Sequence, residues 1–172
     1  MFKKRQPALT NYIQEEFKEY VEKLDSNKKV YIQNRLLGQI MWYDKQAICK
    51  QKKYKILSII SIILTAIIPA ISLYTGFEYG IIASTGIAIF SAISTAIMSI
   101  LNLCEYQKLW IEYRSNCEIL KSVLYRFFTR SKEFYGLNEE KAFDLLIQTT
   151  EEYLLKEFQT WTELSHSLNK EQ

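Results

Sequence analysis

The chain has 172 residues and a formal net charge of +3, which suggests one domain or a compact pair of layers. Its three cysteines form no CxxC pair, so the sequence lacks a disulfide framework and a zinc spacing. It also lacks the GxGxxG, P-loop, HExxH and GxSxG motifs, and the lone histidine, His166, lies in a polar segment. We therefore expect no enzyme, with no catalytic residue, metal site or cofactor.

The first 55 residues form a polar arm that is predicted to be helical. A short helix is expected over about residues 11–24, and Asp25-Ser26-Asn27 breaks it from the next helix. The apolar face of the short helix carries Tyr12, Phe17, Tyr20 and Leu24. From about Val30 a second face carries Leu36, Ile40, Tyr43, Ala47 and Tyr54. No signal-peptide pattern stands at the N-terminus, so we expect no cleaved leader.

Residues 56–104 form an apolar block in which Glu78 is the one charged residue. Two runs within it, about 56–74 and 80–104, each reach the length of about 20 residues that a helix needs to cross a membrane. A lone strand is excluded because only a helix satisfies its own backbone hydrogen bonds in lipid. The alternative is a pair of buried core helices, but the charged arms suit such an enclosure poorly. Pro69 is expected to kink the first span.

Residues 75–79 are predicted to form the turn between the two spans, flanked by aromatic rings that suit a headgroup boundary. Basic residues precede the first span and follow the second, whereas the turn has none. These basic residues are Lys45, Lys50, Lys52, Lys53, Lys55, Lys108, Arg114 and Lys121. The positive-inside rule therefore places both termini in the cytoplasm and the turn outside, which makes the chain a multi-pass membrane protein whose first partner is the lipid bilayer.

Residues 105–172 form the second arm, and the second span is expected to continue into it as one long helix. A heptad-like apolar seam on that helix consists of Tyr106, Trp110, Tyr113, Cys117, Leu120, Leu124 and Phe127. Gly136 suits a helix C-cap and Asn138 an N-cap, ahead of a last helix over about 139–165. The predicted fold is all-α: a two-transmembrane helical hairpin that continues into long cytoplasmic helices, which form an antiparallel helical bundle.

Two segments that flank the spans carry motifs, RLLGQIMWYDKQAICKQKKYKILSIISIILTAIIPAI and LNLCEYQKLWIEYRSNCEILKSVLYRFF. The first contains Gln39, Trp42-Tyr43-Asp44-Lys45, Ala47, a lysine-rich run to Tyr54, and Pro69. The second contains Trp110, Tyr113-Arg114, Glu118 and Leu120-Lys121. In this order, over about residues 30–136, they resemble the SLATT superfamily, a two-transmembrane effector domain associated with SLOG and nucleotidyltransferase sensors. The chain departs from that pattern at Ser122-Val123, where an acidic residue is expected.

The resemblance implies an effector of the bacterial inner membrane that assembles as a homo-oligomer and opens pores in conflict and anti-phage defence systems. Such effectors often receive a nucleotide signal, and because no sensor is fused here, the resemblance implies a separate nucleotide-sensing or defence-system partner. The basic residues are explained by the flanking lipid, so we expect no nucleic acid partner. The alternative function is a membrane-anchored adaptor or scaffold whose cytoplasmic helical bundle binds a signalling partner.

The second span carries a stripe of small and weakly polar residues that are candidates for the pore lining. They are Ser84, Ala88, Ser91, Thr95, Ser99 and Asn102. The same stripe also suits close helix packing, so both interpretations stay open. Glu78 is the candidate for the outer mouth and Glu105 for the inner mouth, where rings of carboxylates would favour cations. For Glu78 the alternative is a solvated carboxylate in the turn, and for Glu105 the alternative is anchoring at the membrane interface.

Seven residues next to the membrane are candidates for a structural clamp, or for a switch that couples the cytoplasmic arms to the pore. They are Trp42, Tyr43, Asp44, Trp110, Tyr113, Arg114 and Glu118. Asp44 and Arg114 lie about eleven residues from their membrane boundaries on predicted antiparallel helices. We therefore expect these two residues to form an ion pair.

Overall fold

The computed structural model describes residues 9–76 and 80–170, with side chains over 12–76 and 80–159, and this part of the chain contains helices and no strand. The helices are α1 (Leu9–Glu22), α2 (Ser26–Val30), a π-helical segment (Tyr31–Leu37), α3 (Gly38–Ser72), α4 (Gly80–Leu103), α5 (Tyr106–Phe128), a 3-10 turn (Lys132–Phe134) and α6 (Glu139–Lys170). The predicted all-α fold is confirmed, and α3 continues without a break from the first arm into the first apolar run.

The structure divides into two compact units. Residues Met1–Tyr43 and Ser115–Gln172 form the helical unit, and residues Asp44–Arg114 form the hairpin unit. The hairpin unit therefore contains the predicted spans together with about three helical turns on either side of them. The predicted division into residues 1–55, 56–104 and 105–172 separates the expected membrane spans from the polar arms. It uses a different criterion from the compact units, and it stays a prediction.

The helical unit has its own apolar core, built from side chains that recur every three or four residues along each helix. The core includes Phe17, Val21, Ile32, Leu36, Ile40, Leu120, Leu124, Phe127, Phe134 and Leu146. The predicted apolar face of α1 is partly wrong, because Tyr12 and Tyr20 are 61% and 45% exposed whereas Ile13 is buried. A tyrosine can lay its ring on the surface and keep its hydroxyl in water, as Tyr20 does in stacking on Phe128.

The predicted apolar seam on α5 and the predicted N-cap of α6 can both be compared with the structure. The part of the seam from Cys117 to Phe127 is buried, and the Lys141 N–H donates to the Asn138 side-chain oxygen at 2.9 Å, which confirms the N-cap. Gly136 has a φ of 70°, a conformation that favours glycine, but the prediction that it caps the long helix is wrong, because α5 already ends at Phe128. The predicted apolar face of α6 includes Leu146, which is buried, and Phe158, which is 70% exposed, so it is wrong at Phe158. Its last predicted members, Trp161 and Leu164, lie outside the residues whose side chains the structure describes.

The predicted continuous helix from the second span into the second arm is interrupted. Helix α4 ends at Leu103 and α5 begins at Tyr106, because Glu105 adopts a φ of +44°. The Glu105 N–H donates to the Asn102 carbonyl at 3.3 Å, in a tight turn that closes α4. Neither glycine nor proline marks this position, so helical periodicity alone predicted no break.

Both apolar runs lie on helices, and most of their side chains remain exposed within the hairpin unit. The helical stretches Ser26–Ser72 and Gly80–Phe134 each contain 18 residues that are apolar enough to cross a membrane, and only 6% and 11% of those residues are buried. The core helix of a soluble domain would be mostly buried. Exposed isoleucines on the two helices include Ile59, Ile62, Ile63, Ile81, Ile82 and Ile89. The chain therefore has two helices long and apolar enough to span a membrane.

Gly80 begins α4 at a point where the backbone of the preceding turn passes close by. A Cβ atom at Gly80 would lie 2.5 Å from the Thr75 carbonyl oxygen, a backbone atom that has little room to move. We expect Gly80→Ala to lower the free energy of unfolding by about 1–3 kcal/mol, the usual cost of overpacking. Urea unfolding in detergent micelles, followed by far-UV circular dichroism, measures this change.

Gly86 supplies the matched control, because no atom lies within 4 Å of the Cβ position there. Gly86→Ala should be neutral or should stabilise the helix by up to about 1 kcal/mol through helix propensity. Equal losses for Gly80→Ala and Gly86→Ala would contradict the close approach at Thr75.

The π-helical segment of the helical unit is tied to α6 through one carboxylate. Glu151 accepts hydrogen bonds from Arg35 Nη2 at 2.8 Å, Arg35 Nε at 3.0 Å and the Tyr31 hydroxyl at 3.1 Å. The bonds from Arg35, with a smaller contribution from Tyr31, lower the pKa of Glu151. Burial, followed by the Glu151 charge, raises the pKa of Tyr31.

A carboxylate with a lowered pKa stabilises the folded state above its unfolded pKa of about 4.3, and this contribution is lost as the pH falls through the folded value. We expect Glu151→Gln to cost about 1 kcal/mol at pH 7, since Arg35 is half exposed, and to cost progressively less below about pH 4. Thermal unfolding at several pH values measures it, with the exposed Glu152→Gln as the control. A loss that does not depend on pH would contradict this assignment.

Candidate functional site

Three hydroxyl groups join α3 to α4 within the apolar part of the hairpin unit. Ser61 and Ser94 are 4% and 8% exposed, and their side-chain oxygens are 2.9 Å apart. Thr65 Oγ1 lies 2.9 Å from Ser94 Oγ and donates to the Ser61 carbonyl at 2.9 Å. One arrangement satisfies every donor: Ser61 donates to Ser94, Ser94 to Thr65, and Thr65 to the Ser61 carbonyl. This hydroxyl cluster therefore joins the two helices and leaves none of its polar hydrogens without an acceptor.

Ser94 is absent from the predicted stripe, although its spacing carries a signal. Ala83, Ile87, Phe90, Ser94, Ile97 and Leu101 follow steps of 4, 3, 4, 3 and 4 along α4. In the structure Ala83, Ser94 and Leu101 are buried and the other three are half-buried, so this seam faces α3. The heptad pattern of the second span could have been found in the sequence, as it was for α5.

The predicted stripe lies beside that seam and faces away from α3. Ser84, Ala88, Thr95, Ser99 and Asn102 are exposed within the unit, and Ser91 is half-buried. Three of its hydroxyls donate back to their own helix. Ser84 donates to the Ile81 carbonyl at 3.0 Å, and Thr95 and Ser99 donate to the Ser91 and Thr95 carbonyls, both at 2.9 Å. Each such hydroxyl has a satisfied hydrogen, and its oxygen lone pairs can still accept. The stripe is therefore available to water, an ion or another helix.

The predicted kink and mouth residues have different outcomes. Pro69 lies within α3, which continues past it to Ser72, and its carbonyl accepts a hydrogen bond from the Ser72 hydroxyl at 2.7 Å. Glu105 lies at the exposed turn between α4 and α5, where it is 3.1 Å from Lys108 Nζ. Glu78 lies outside the described residues. The roles assigned to all three stay predictions.

The predicted ion pair between Asp44 and Arg114 is present in the hairpin unit. Arg114 Nη1 lies 2.7 Å from Asp44 Oδ1. The Asp44 side chain is 4% exposed and the Arg114 side chain 49% exposed, so the pair joins α3 to α5 with its carboxylate buried. A buried carboxylate that loses its cation is strongly destabilising, which makes this pair a structural clamp.

A small cavity of about 150 Å³ lies beside the clamp in the hairpin unit. Its lining consists of Ala47, Ile48, Gln51, Trp110 and Arg114. The Trp110 indole nitrogen is buried without a hydrogen-bond partner among the described residues. Tyr113 lies near it on α5, and burial followed by the Glu112 charge raises the pKa of the Tyr113 phenol.

The other predicted clamp residues belong to the helical unit. The Trp42 and Tyr43 rings meet edge to face with centroids 5.1 Å apart, and Trp42 is 45% exposed whereas Tyr43 is buried. Glu118 is exposed on α5. The structure therefore brings together Asp44 and Arg114, and it pairs Trp42 with Tyr43. A coupling function for the set stays a prediction.

The structure also contains a half-buried polar network in the helical unit that the sequence did not predict. Glu157 accepts hydrogen bonds from the Tyr43 hydroxyl and from Asn116 Nδ2, the latter at 2.7 Å. The Tyr153 hydroxyl donates to Asn116 Oδ1 at 2.7 Å. Sequence periodicity cannot pair residues from three distant segments, so this network carried no local signal.

No group of three His, Cys, Asp or Glu side chains in the described part of the chain is arranged to hold a metal ion. Comparison with curated proteins and with solved structures gives no match. A family model described as "Protein of unknown function (DUF4231)" matches residues 38–142, which include both apolar runs, the hydroxyl cluster and the clamp. Because this match covers more than half of the sequence, the chain belongs to the DUF4231 family.

Proposed function

We propose that the protein is an oligomeric membrane effector, of the class that the SLATT resemblance implies, whose α4 helices surround a pore. The observation that carries this proposal is the division of polar groups in the hairpin unit. The hydroxyl groups of the cluster are hydrogen-bonded between α3 and α4, whereas the stripe from Ser84 to Asn102 remains largely exposed. A helix that only anchors the chain has no need of a second polar face in lipid.

The hydroxyl orientation also supports an ion preference. Because Thr95 and Ser99 donate their hydrogens to their own helix, their oxygens would present lone pairs toward an axis that the stripe faces. A ring of oxygen dipoles attracts cations in the same way as carbonyl oxygens in a selectivity filter. A ring of Glu78 side chains at the outer mouth would act in the same direction. We therefore propose a pore that prefers cations.

Location and partners follow from the same proposal. Both termini lie in the cytoplasm of a bacterial cell with the hairpin in the inner membrane, and several copies of the chain assemble around the axis. The proposed work of the protein is conflict or anti-phage defence, triggered through a separate nucleotide-sensing or defence-system partner. The clamp between Asp44 and Arg114 holds α3 against α5 about eleven residues beyond the proposed membrane boundaries.

Ion flux through liposomes that contain the full-length protein tests the pore. We expect wild type to conduct cations in preference to anions. Asn102→Lys places a cation on the stripe near the inner end of α4 and should reverse this preference. Leu103→Lys is the matched control, because Leu103 is 85% exposed and lies about 100° further round the helix, where a lysine can reach the headgroups.

The two lysine variants give a clear decision. Reversal by Asn102→Lys with no change for Leu103→Lys supports a pore with the stripe at its axis. The same ion preference in both variants would remove the stripe from the pore. If wild-type protein conducts no ions even when cell extract from phage-infected bacteria is supplied, the pore proposal fails.

One observation favours the adaptor as a second candidate. A groove of about 480 Å³ opens on the helical unit between α1 and the π-helical segment. It is lined by Gln14, Glu15, Lys18, Val21, Gln33, Asn34 and Leu37. Overexpression separates the two functions, since a pore depolarises the membrane and arrests growth, whereas an adaptor leaves the membrane potential unchanged.

A further inference from the structure

Four lysines precede the first apolar run at the depth where lipid headgroups would lie. Lys50, Lys52, Lys53 and Lys55 are between about 2 and 9 Å along the axis of α3 from Ile56, at 1.5 Å per residue. The headgroup layer is about 5–8 Å thick on each side of the hydrocarbon core. This placement rests on the proposed insertion of the hairpin into a bilayer.

Two of these lysines converge on one aromatic ring. The Nζ atoms of Lys50 and Lys53 lie 5.6 Å and 5.9 Å from the centroid of the Tyr106 ring. The ring draws both cations to one place, because its face carries partial negative charge. Two ammonium groups beside one ring repel each other, and an anion bound between them would offset this repulsion.

No carboxylate in the described part of the chain neutralises this cluster. None of the ion pairs found there includes Lys50, Lys52, Lys53 or Lys55. Glu105, which directly precedes Tyr106 in the chain, is 3.1 Å from Lys108 instead. The cluster therefore carries positive charge that no side chain among the described residues compensates.

The break between α4 and α5 leaves backbone donors next to Tyr106 in the chain. The left-handed conformation of Glu105 ends α4 and lets Tyr106 start a new helix of 23 residues. The first N–H groups of a helix have no partner within it, and they favour an anion. A phosphate group would thus meet two ammonium groups and a helix N-terminus, whereas a zwitterionic headgroup would also bring its own cation toward them.

We propose that Lys50, Lys53 and Tyr106 form a binding site for the phosphate of an anionic phospholipid headgroup at one membrane boundary of the hairpin. The acyl chains of the lipid would then lie along exposed isoleucines of α3. Ile60 and Ile67 follow Lys53 at steps of seven residues, and they are 41% and 39% exposed. One helix face therefore carries both a headgroup region and a hydrocarbon region.

Native mass spectrometry of full-length protein released from nanodiscs tests this site. The nanodiscs contain phosphatidylcholine with one fifth phosphatidylglycerol by design. We expect wild type to retain phosphatidylglycerol, and Lys50→Gln/Lys53→Gln to retain about tenfold less. Lys50→Arg/Lys53→Arg should keep the lipid, because an arginine also carries charge and lies well on a tyrosine ring.

The α1 control is Lys18→Gln/Lys23→Gln, which removes the same charge from two exposed lysines, Lys18 on α1 and Lys23 directly after it. Equal lipid retention by wild type and Lys50→Gln/Lys53→Gln would overturn the site. An equal loss in the α1 control would overturn it too, in favour of diffuse attraction. Full competition by inorganic phosphate would show that the site takes free phosphate instead of a lipid.

The test also separates this proposal from the pore. If the protein remains in the bilayer and conducts ions but does not discriminate between lipids, the headgroup site alone fails. If alkaline carbonate extracts the protein from membranes, the insertion on which both proposals rest fails. Circular dichroism of each variant confirms that a loss of lipid does not come from unfolding.

Discussion

Replacing Phe127 with alanine is expected to lower the free energy of unfolding by about 3–5 kcal/mol, the largest effect of any single change considered for this protein. Phe127 is 1% exposed and lies at the centre of an aromatic group in the helical unit. Its ring is 5.8 Å from Phe134 and 6.2 Å from Phe143, and the Arg130 guanidinium lies over it at 5.0 Å. Alanine would leave a cavity and would also remove these ring contacts.

Thermal unfolding of the protein in detergent, followed by circular dichroism, measures this loss. We expect the melting temperature to fall by more than about 10 °C. Tyr135→Ala is the control. Tyr135 follows Phe127 by eight residues in the chain and is 82% exposed, so its replacement should change the melting temperature little. Similar shifts for Phe127→Ala and Tyr135→Ala would contradict the assignment of Phe127 to the core.

Replacing Arg114 with alanine is expected to cost about 2–3 kcal/mol. The change leaves the Asp44 carboxylate 3% exposed without its cation. The cost stays below that of a fully buried pair, because half of the Arg114 side chain reaches water. Urea unfolding of the full-length protein in micelles measures the change.

Two further variants make the clamp test specific. Asp44→Asn/Arg114→Ala should recover part of the stability that Arg114→Ala loses, because an amide needs no cation. Lys108→Ala removes the exposed pair with Glu105 and should cost less than about 1 kcal/mol. If Lys108→Ala and Arg114→Ala cost the same, burial of Asp44 does not determine the strength of the clamp.

The sequence predicted those parts of the fold that depend on length, charge and helical period. The apolar runs, the N-cap at Asn138 and the pair between Asp44 and Arg114 could all be predicted, because each depends on a residue type at a known offset. The turn at Glu105 could not, since a left-handed residue other than glycine is held by its surroundings rather than by its own preference. The two long apolar helices were therefore easier to locate than the break between α4 and α5.

The polar residues of the candidate site were easy to find in the sequence, but the helix face on which each one lies was harder to predict. Both Ser94 and Thr95 are visible in the sequence, yet only their placement around α4 shows that Ser94 meets α3 whereas Thr95 does not. A shift of one residue rotates a side chain by about 100° on a helix, so a small error in the packing face exchanges the two roles. The contact of Lys50 and Lys53 with one ring joins segments more than fifty residues apart, which no local pattern predicts.

The claim on which the other proposals rest is that the hairpin crosses a bilayer with its turn on the far side from both termini. Cysteine labelling tests this claim in a chain whose native cysteines are replaced, Cys49 and Cys104 by serine and the buried Cys117 by alanine. Thr75→Cys places a thiol at the exposed turn, and Tyr135→Cys places one on the exposed surface of the helical unit.

A membrane-impermeant maleimide is then added to intact spheroplasts and, separately, to permeabilised ones. We expect Thr75→Cys to react in intact spheroplasts and Tyr135→Cys to react only after permeabilisation. Reaction of Tyr135→Cys in intact spheroplasts, or recovery of the unlabelled protein in the soluble fraction, would contradict a hairpin that spans the membrane.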